Sequence, residues 1–481
     1  MWNGRTVAAA LWLSLAALPG FAADESTLQG KIDAALLKLG PHSLAAVRVV
    51  SPASGKVLYE RNADLSMNPA SNMKLFTSAA AMAKLGPDYR FTTRILAERK
   101  PADDGVLAGD LVLQGGGDPV LETPQLVKLA DALQAQGLRR VTGSLRADDY
   151  HFDAERLGIA WNSDDEPFYY SAQISALGLN RNVIKLDLAP GRAPGDPVSV
   201  NLKPVDGYVT VECTATTAAE GAKPSIQVSR RRAQNVVLIT GSLPVGGKTV
   251  TDEEVTMEEP ELYTAHVFRK LLADRGIRVE GEIKRQPAPT DAVELASNQS
   301  IPLSEILPLL NKPSDNLIAE MLLKEVGYAG KKSGDAGAGS EVVEGWLKEI
   351  GIDVGGIRIN DGSGLSRMDL VTSRAVSDLL LWIDRQPWRD AYVRSLPLAG
   401  VDGTLRSRLK GTPAEKNLSA KTGSLAHVSA LGGYITLRSG ERLVFSVLIN
   451  NFPGSVARGA KPIEDRIALA LAEEGALVVG K

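Results

Sequence analysis

Apolar positions return at helical spacing through Leu28, Ile32, Ala35, Leu36 and Leu39, and Gly40 stops the run. The pattern then shortens to a strand over 43–50, a turn at Pro52-Ala53-Ser54-Gly55 and a hairpin partner over 56–60. An Ala-rich helix is predicted over 71–85, ended by Gly86-Pro87. From Asp88 to about Pro287 the chain changes character: short β-like runs at 91–97, 109–114, 140–147, 183–188, 198–202, 207–213, 225–230 and 235–242 alternate with Gly and Pro. Only 123–136 and 261–275 read as helices there, and 214–224 reads as a loop.

Helical periodicity resumes at 303–310, 315–326, 340–350 and 372–385. A strand run over 423–436, the turn Arg438-Ser439-Gly440-Glu441, a strand over 442–450 and a helix over 463–474 close the chain. The first hairpin and the last strands can share one antiparallel sheet flanked by helices. That is an α+β fold, one domain split in sequence into 24–87 and 291–481 by a β-rich insertion over 88–290, with a nested piece at about 155–255. The terminal helix has few basic residues on its polar face and is expected to dock on the sheet rather than on a membrane.

The first residues change the picture of where the chain works. Arg5, the apolar run from Val7 to Leu18 and the small residues of Pro19-Gly20-Phe21-Ala22-Ala23 make residues 1–23 a cleavable secretory signal peptide, so the expected address is the periplasm. No later run reaches the ~18 apolar residues of a membrane span, so no integral membrane segment is expected in the mature chain. With 54 Lys and Arg against 57 Asp and Glu, the formal net charge is −3, which lacks the basic footprint of a nucleic-acid binder. Cys213 is the only cysteine, so no intramolecular disulfide can form, and it reads as an inert thiol. His42, His151, His266 and His427 stand apart without metal-ligand spacing, so no metal and no cofactor is expected. His427 reads as a strand-face residue without catalytic duty.

Three motifs carry chemistry: Ser71-Asn72-Met73-Lys74, Ser314-Asp315-Asn316 and Lys421-Thr422-Gly423. Residues three apart on a helix share a face, which brings a serine hydroxyl to a lysine amine. A neutral lysine, made so by burial or a neighbouring cation such as Lys421, can take the serine proton and create a nucleophile. Ser314 can pass a proton to a leaving amine, and Asn316 can orient Lys74 or hold a substrate carbonyl. Lys421 and Thr422 can hold a substrate carboxylate, and Gly423 lets the strand approach the substrate. The backbone N–H groups of Ser71 and of Ser424, just after Gly423, would form an oxyanion hole.

Each pattern alone is cheap. Ser407-Arg408-Leu409-Lys410 repeats the first and Ser66-Met67-Asn68 the second, but only the Ser71 series gives the order and contexts the chemistry needs. Taken alone, Ser71 would be a helix N-cap, Asp315 a first-turn acid, and Gly115-Gly116-Gly117 a tight turn.

This motif set resembles that of penicillin-binding proteins and serine β-lactamases. With Gly115-Gly116-Gly117-Asp118-Pro119, Asp361-Gly362-Ser363-Gly364-Leu365-Ser366-Arg367 and the long insertion after the first motif, the chain resembles the D-Ala-D-Ala carboxypeptidases of the serine peptidase S13 family. The resemblance implies a penicillin-binding/β-lactamase-like transpeptidase domain with one or two inserted domains. It implies a serine DD-carboxypeptidase and DD-endopeptidase that cuts D-Ala-D-Ala ends and D-Ala-diaminopimelate cross-links of peptidoglycan stem peptides, and that β-lactams acylate. It also sets Asp148 and Arg367 by the pocket for the diaminopimelate side chain. Two other readings stand beside it. A β-lactamase would be shorter and would need a deacylating acid such as Glu166, and a non-catalytic wall-binding or antibiotic-sensing protein would have no need of all three motifs. A homodimer is compatible with the sequence.

Overall fold

The computed structural model of the chain describes residues 26–204, 207–437 and 439–477; the expected signal peptide and Arg438 of the expected turn lie outside the described residues. Strands from the two ends of the chain meet in one five-stranded sheet, ordered Leu418–Leu425, Val428–Thr436, Arg442–Asn450, Leu44–Val50 and Val57–Arg61. Every neighbouring pair is antiparallel. The alternation along these strands sorts their side chains by face. Ala46, Ala430, Tyr434, Val444 and Leu448 pack under the helices Met73–Lys84, Asn316–Lys331, Ala336–Glu349 and Ser373–Ile383. Val47, Leu431, Phe445, Val447 and Ile449 pack under Leu28–Leu36 and Lys461–Leu477, where Ile463, Ile467 and Leu471 dock the last helix as its repeat predicts. The result is the α+β architecture expected.

The Met73–Lys84 helix is buried on every side from Met73 to Met82, as befits a helix surrounded by core. Leu75 and Phe76 are fully buried, each worth about 1.5–3 kcal/mol. The helix continues from the turn that holds Ser71 and carries Lys74 of the first motif.

The intervening chain builds a second five-stranded sheet, ordered Ile283–Arg285, Leu145–Asp148, Leu111–Gln114, Thr92–Ala97 and Val293–Gln299. The helices Thr123–Ala135 and Pro260–Ala273 share its core, together with smaller three-stranded sheets that include Val183–Ala189, Val250–Thr256 and Val236–Thr240. Val250–Thr256 and Val293–Gln299 were not expected as strands, because Thr251-Asp252-Glu253-Glu254 and Ser297-Asn298-Gln299 lack the apolar alternation of a half-buried strand. The second of them lies past the expected insertion boundary and pairs with Thr92–Ala97.

The run expected as one strand over 423–436 is a hairpin of two strands that turns at Ala426-His427. The turn holds His427 at φ 64°, a conformation usually left to Gly or Asn, so no turn residue announces it. His427 is therefore not on a strand face; its Nδ1 meets the Phe452 carbonyl at 2.9 Å.

Candidate active site

Ser71 opens no helix as a cap. It sits in the 3-10 turn Ala70–Asn72, whose capping residue is Pro69, and Met73–Lys84 continues from it. The turn is set from outside: Asn68 Oδ1 accepts from the Ala70 N–H at 2.9 Å, and Asn450 of the central sheet holds both the N–H and the carbonyl of Asn68. Ala70 takes φ 44°, a left-handed value that costs an alanine energy and persists only where the surroundings over-determine it. The strained residue immediately precedes the hydroxyl the first motif offers. Asn68, the asparagine of the decoy S-x-N, thus serves the turn.

Lys74 Nζ donates to Ser71 Oγ at 3.1 Å, to Asn316 Oδ1 at 2.6 Å and to the Ser363 carbonyl at 2.7 Å. Its side chain is wholly buried. Burial pushes the amine down to about 8, against Asp361, Glu320, Asp315 and Asp369, which pull it back up. The first cause is desolvation, not the cation of the third motif. Asn316 begins the helix Asn316–Lys331, capped by Asp315 Oδ1 on the Ile318 N–H at 2.9 Å, as the helix-dipole reading of that acid expects. Its amide nitrogen donates to the Tyr170 carbonyl at 2.7 Å, a partner from the inserted segment.

Ser314 also holds a left-handed backbone, φ 67°, and its Oγ accepts from Lys421 Nζ at 2.8 Å. Lys421 is as buried as Lys74, and burial together with Lys74 drives its amine well below the usual lysine range. Thr422 Oγ1 donates to Thr404 Oγ1 at 2.7 Å. Gly423 answers to the protein as well as to any substrate: a Cβ there would stand 2.7 Å from the Pro69 carbonyl oxygen. The missing side chain lets the strand close on the turn that carries Ser71.

A cavity of about 360 Å³ opens over these groups, lined by Ser71, Ser314, Asn316 and Ser424 together with Asp165, Tyr169, Tyr170 and Arg367. The three motifs therefore converge on one cavity. Arg367 is exposed at its edge.

The family model described as the D-Ala-D-Ala carboxypeptidase 3 (S13) family matches residues 28–473. The chain belongs to this S13 family. A D-alanyl-D-alanine carboxypeptidase of Actinomadura sp. strain R39 is 40% identical over 445 residues, covering 90% of this chain and 81% of that protein. The crystal structure of penicillin binding protein 4 from Haemophilus influenzae superposes with a TM-score of 0.81 at 28% identity, covering 92% of this chain and 98% of that one. The same protein complexed with a β-lactam superposes with a TM-score of 0.75 at 27% identity, covering 92% and 99%. The expected family, the penicillin-binding fold with insertions and the enzyme class, a serine-type D-Ala-D-Ala carboxypeptidase, are all borne out.

Within this S13 site one expected residue is out of place. Asp148 does not reach the Ser71 cavity. It lines a separate cavity of about 760 Å³ with Gln114, Arg94 and Tyr328. Its carboxylate is already filled, accepting from Gln114 Nε2 at 2.8 Å, the Ala288 N–H at 2.9 Å and the Tyr150 N–H at 3.1 Å. The acid beside Ser71 is Asp165, whose Oδ1 accepts from the Tyr170 hydroxyl at 3.1 Å. Its neighbour Glu166 faces Arg232 at 3.8 Å and Arg230 at 4.0 Å and does not line the cavity, which removes the residue a β-lactamase reading would use for deacylation.

Three other participants carry no sequence signal of their own. The Tyr170 and Ser363 carbonyls act through the backbone, and Thr404 lies in the 3-10 turn Gly403–Leu405. Of the decoys, Ser407 and Lys410 are both exposed, and Ser66 donates to the Gly356 carbonyl at 3.0 Å on the surface. Among the described residues no helix is long and apolar enough to cross a membrane.

Proposed function

We propose that this S13 enzyme cleaves peptidoglycan stem peptides through an acyl-enzyme on Ser71, as a DD-carboxypeptidase at D-Ala-D-Ala ends and as a DD-endopeptidase at D-Ala-diaminopimelate cross-links. The observation that carries the reading is the 3.1 Å bond between Lys74 Nζ and Ser71 Oγ, made in a dry site where the amine sits near 8. A lysine of that kind is neutral often enough to take the serine proton at physiological pH.

The steps follow from the contacts. Lys74 Nζ takes the proton as Ser71 Oγ attacks the carbonyl of the penultimate D-alanine. The backbone N–H groups of Ser71 and Ser424 meet the oxyanion. Collapse breaks the C–N bond, the leaving amine takes a proton from Lys421 through Ser314, and the proton that Lys74 took from Ser71 passes on to Lys421, so Lys74 is neutral again. A carboxylate on the substrate favours the ammonium form of Lys421, and Thr422 steadies the same group. Water then attacks the ester with Lys74 again as base, releasing the shortened peptide and restoring the serine. Asp165 and Arg367, an acid and a base lining the same cavity, fit a side chain that ends in both an ammonium and a carboxylate. β-Lactams would acylate Ser71 by the same route, a reading supported by the β-lactam complex of the Haemophilus relative. The signal-like first residues put the work in the periplasm.

Labelled penicillin and muropeptides test this directly. The purified protein should bind the label covalently, Ser71→Ala should abolish labelling, and Ser407→Ala should leave it intact. Monomeric pentapeptide should lose one D-alanine and cross-linked dimers should be split. Label on the Ser71→Ala protein, or muropeptides returned uncut, would overturn the reading.

A further inference from the structure

The segment Asp361–Arg367 stands between the inserted chain and the base. Its Ser363 carbonyl is one of three acceptors on Lys74 Nζ, and Gly364 presses so closely on the Ser71 turn that a Cβ there would stand 1.9 Å from the Ala70 carbonyl oxygen. Asp361, with no exposed surface, organises the segment from within. Its Oδ1 accepts from the Gly364 N–H at 2.6 Å, and its Oδ2 accepts from the Ser366 N–H at 2.6 Å and the Ser363 hydroxyl at 3.4 Å. The carboxylate takes a fourth bond from outside the segment, on the same Oδ2, from the Trp161 indole N–H at 2.9 Å. Glu320 holds the other shoulder, accepting from the Gly362 and Ser363 N–H groups at 3.0 and 2.8 Å.

We propose that Asp361, anchored by Trp161 of the inserted segment, is a positioning residue for the base: it fixes the loop that aims the Ser363 carbonyl at Lys74. The inserted chain thereby bears on the base through an indole N–H as well as through the Tyr170 carbonyl on Asn316. The inference rests on the acyl-enzyme reading above.

Titratable groups face Lys74 from each element packed on it: Asp361 and, just past the loop, Asp369, then Asp315 and Glu320 of the Asn316–Lys331 helix and its cap, and Lys421 from the sheet. Asp361 is the first of the acids that pull the Lys74 amine up, while burial first, and Asp361 after it, raise Asp369 well above the usual carboxylate range and Glu320 to about 8. Replacing it by a neutral amide withdraws a charge that favours the ammonium. The Lys74 proton then leaves at lower pH, and the acid limb of the acylation profile moves the same way.

The test is acylation by labelled penicillin measured across pH for the whole enzyme and three variants. Asp361→Asn is expected to lower the plateau rate about tenfold or more and to shift the acid limb to lower pH. Asp361→Glu keeps the charge and should hold the limb in place. Trp161→Phe keeps both charge and ring; it should lower the plateau about three- to tenfold with the limb unmoved, and it decides the matter if Asp361→Asn does not fold. The proposal is overturned if Asp361→Asn loses rate with its limb where the parent has it, which is what a purely structural role predicts. It is overturned equally if Trp161→Phe acylates at the parent's plateau. Failure of the acyl-enzyme reading looks different: the parent protein itself takes no label, and the proposal falls with it.

Discussion

The Asn316 amide donates to the Tyr170 carbonyl at 2.7 Å while its oxygen accepts from Lys74 at 2.6 Å. One side chain thus reads both the base and the inserted segment. Asn316→Asp keeps the acceptor for Lys74 but sets a charge beside it and leaves the Tyr170 carbonyl without its donor. The added charge favours the ammonium, so the acid limb of acylation should move to higher pH and the rate at pH 7 should fall about a hundredfold. Labelled-penicillin kinetics read both changes, and an unmoved limb would speak against the contact.

The parent enzyme's own profile follows from the Lys74 amine at about 8. The neutral form is the active one, so the rate rises with pH up to that point and drops about tenfold per pH unit below it. Lys74→Arg keeps a cation that stays protonated throughout the range. Its acylation should be lost at every pH while its circular dichroism spectrum is retained.

Two glycines hold the strand and the loop against the Ser71 turn. Gly364, at φ 78° with the Ala70 carbonyl oxygen 1.9 Å from where a Cβ would sit, tolerates alanine less well than Gly423, where the approach to Pro69 is 2.7 Å. Gly364→Ala should cost about 2–3 kcal/mol in urea unfolding, and Gly423→Ala about 1–2 kcal/mol. Both should acylate slowly, because the crowding displaces the turn that carries the hydroxyl.

Within the decoy Ser407-x-x-Lys410, the residue that matters is Arg408. Its guanidinium lies 2.9 Å from Glu464, which is almost wholly buried, and 2.7 Å from Asp465. Arg408→Ala leaves the Glu464 carboxylate with Ser429 alone and should destabilise the fold by about 3–5 kcal/mol. Ser407→Ala, on the surface, should change the unfolding midpoint by no more than about 0.5 kcal/mol in equivalent stability.

The motifs are legible in the sequence because Ser71, Lys74, Ser314, Asn316 and Lys421 meet through side chains whose types and spacing the sequence prints. The long helices were legible too, because apolar spacing alone describes a segment such as Asn316–Lys331. What stayed hidden acts through the backbone or against propensity. The Ser363 and Tyr170 carbonyls could belong to any residue type, and the His427 turn uses a residue that does not advertise one. Val250–Thr256 is polar because it is an edge strand, exposed through Thr251, Asp252 and Glu253 where its register with Val183–Ala189 shifts. Asp148, expected by the diaminopimelate pocket, lines a different cavity from Ser71, with its carboxylate held by Gln114 and two backbone N–H groups.

The central sheet places Leu44–Val50 against Arg442–Asn450, strands from nearly opposite ends of the chain. Pairing of that span is slow to nucleate, since almost the whole polypeptide must be looped out before the two strands meet. Lys421, Gly423 and the Asn450 that steadies the Ser71 turn therefore reach the serine last. A chain emerging in order from its N-terminus carries Ser71 early but has no reactive centre until its final strands have threaded into place. The hydrolase is in this way silent while it is being made, and its reactive centre exists only in the finished molecule.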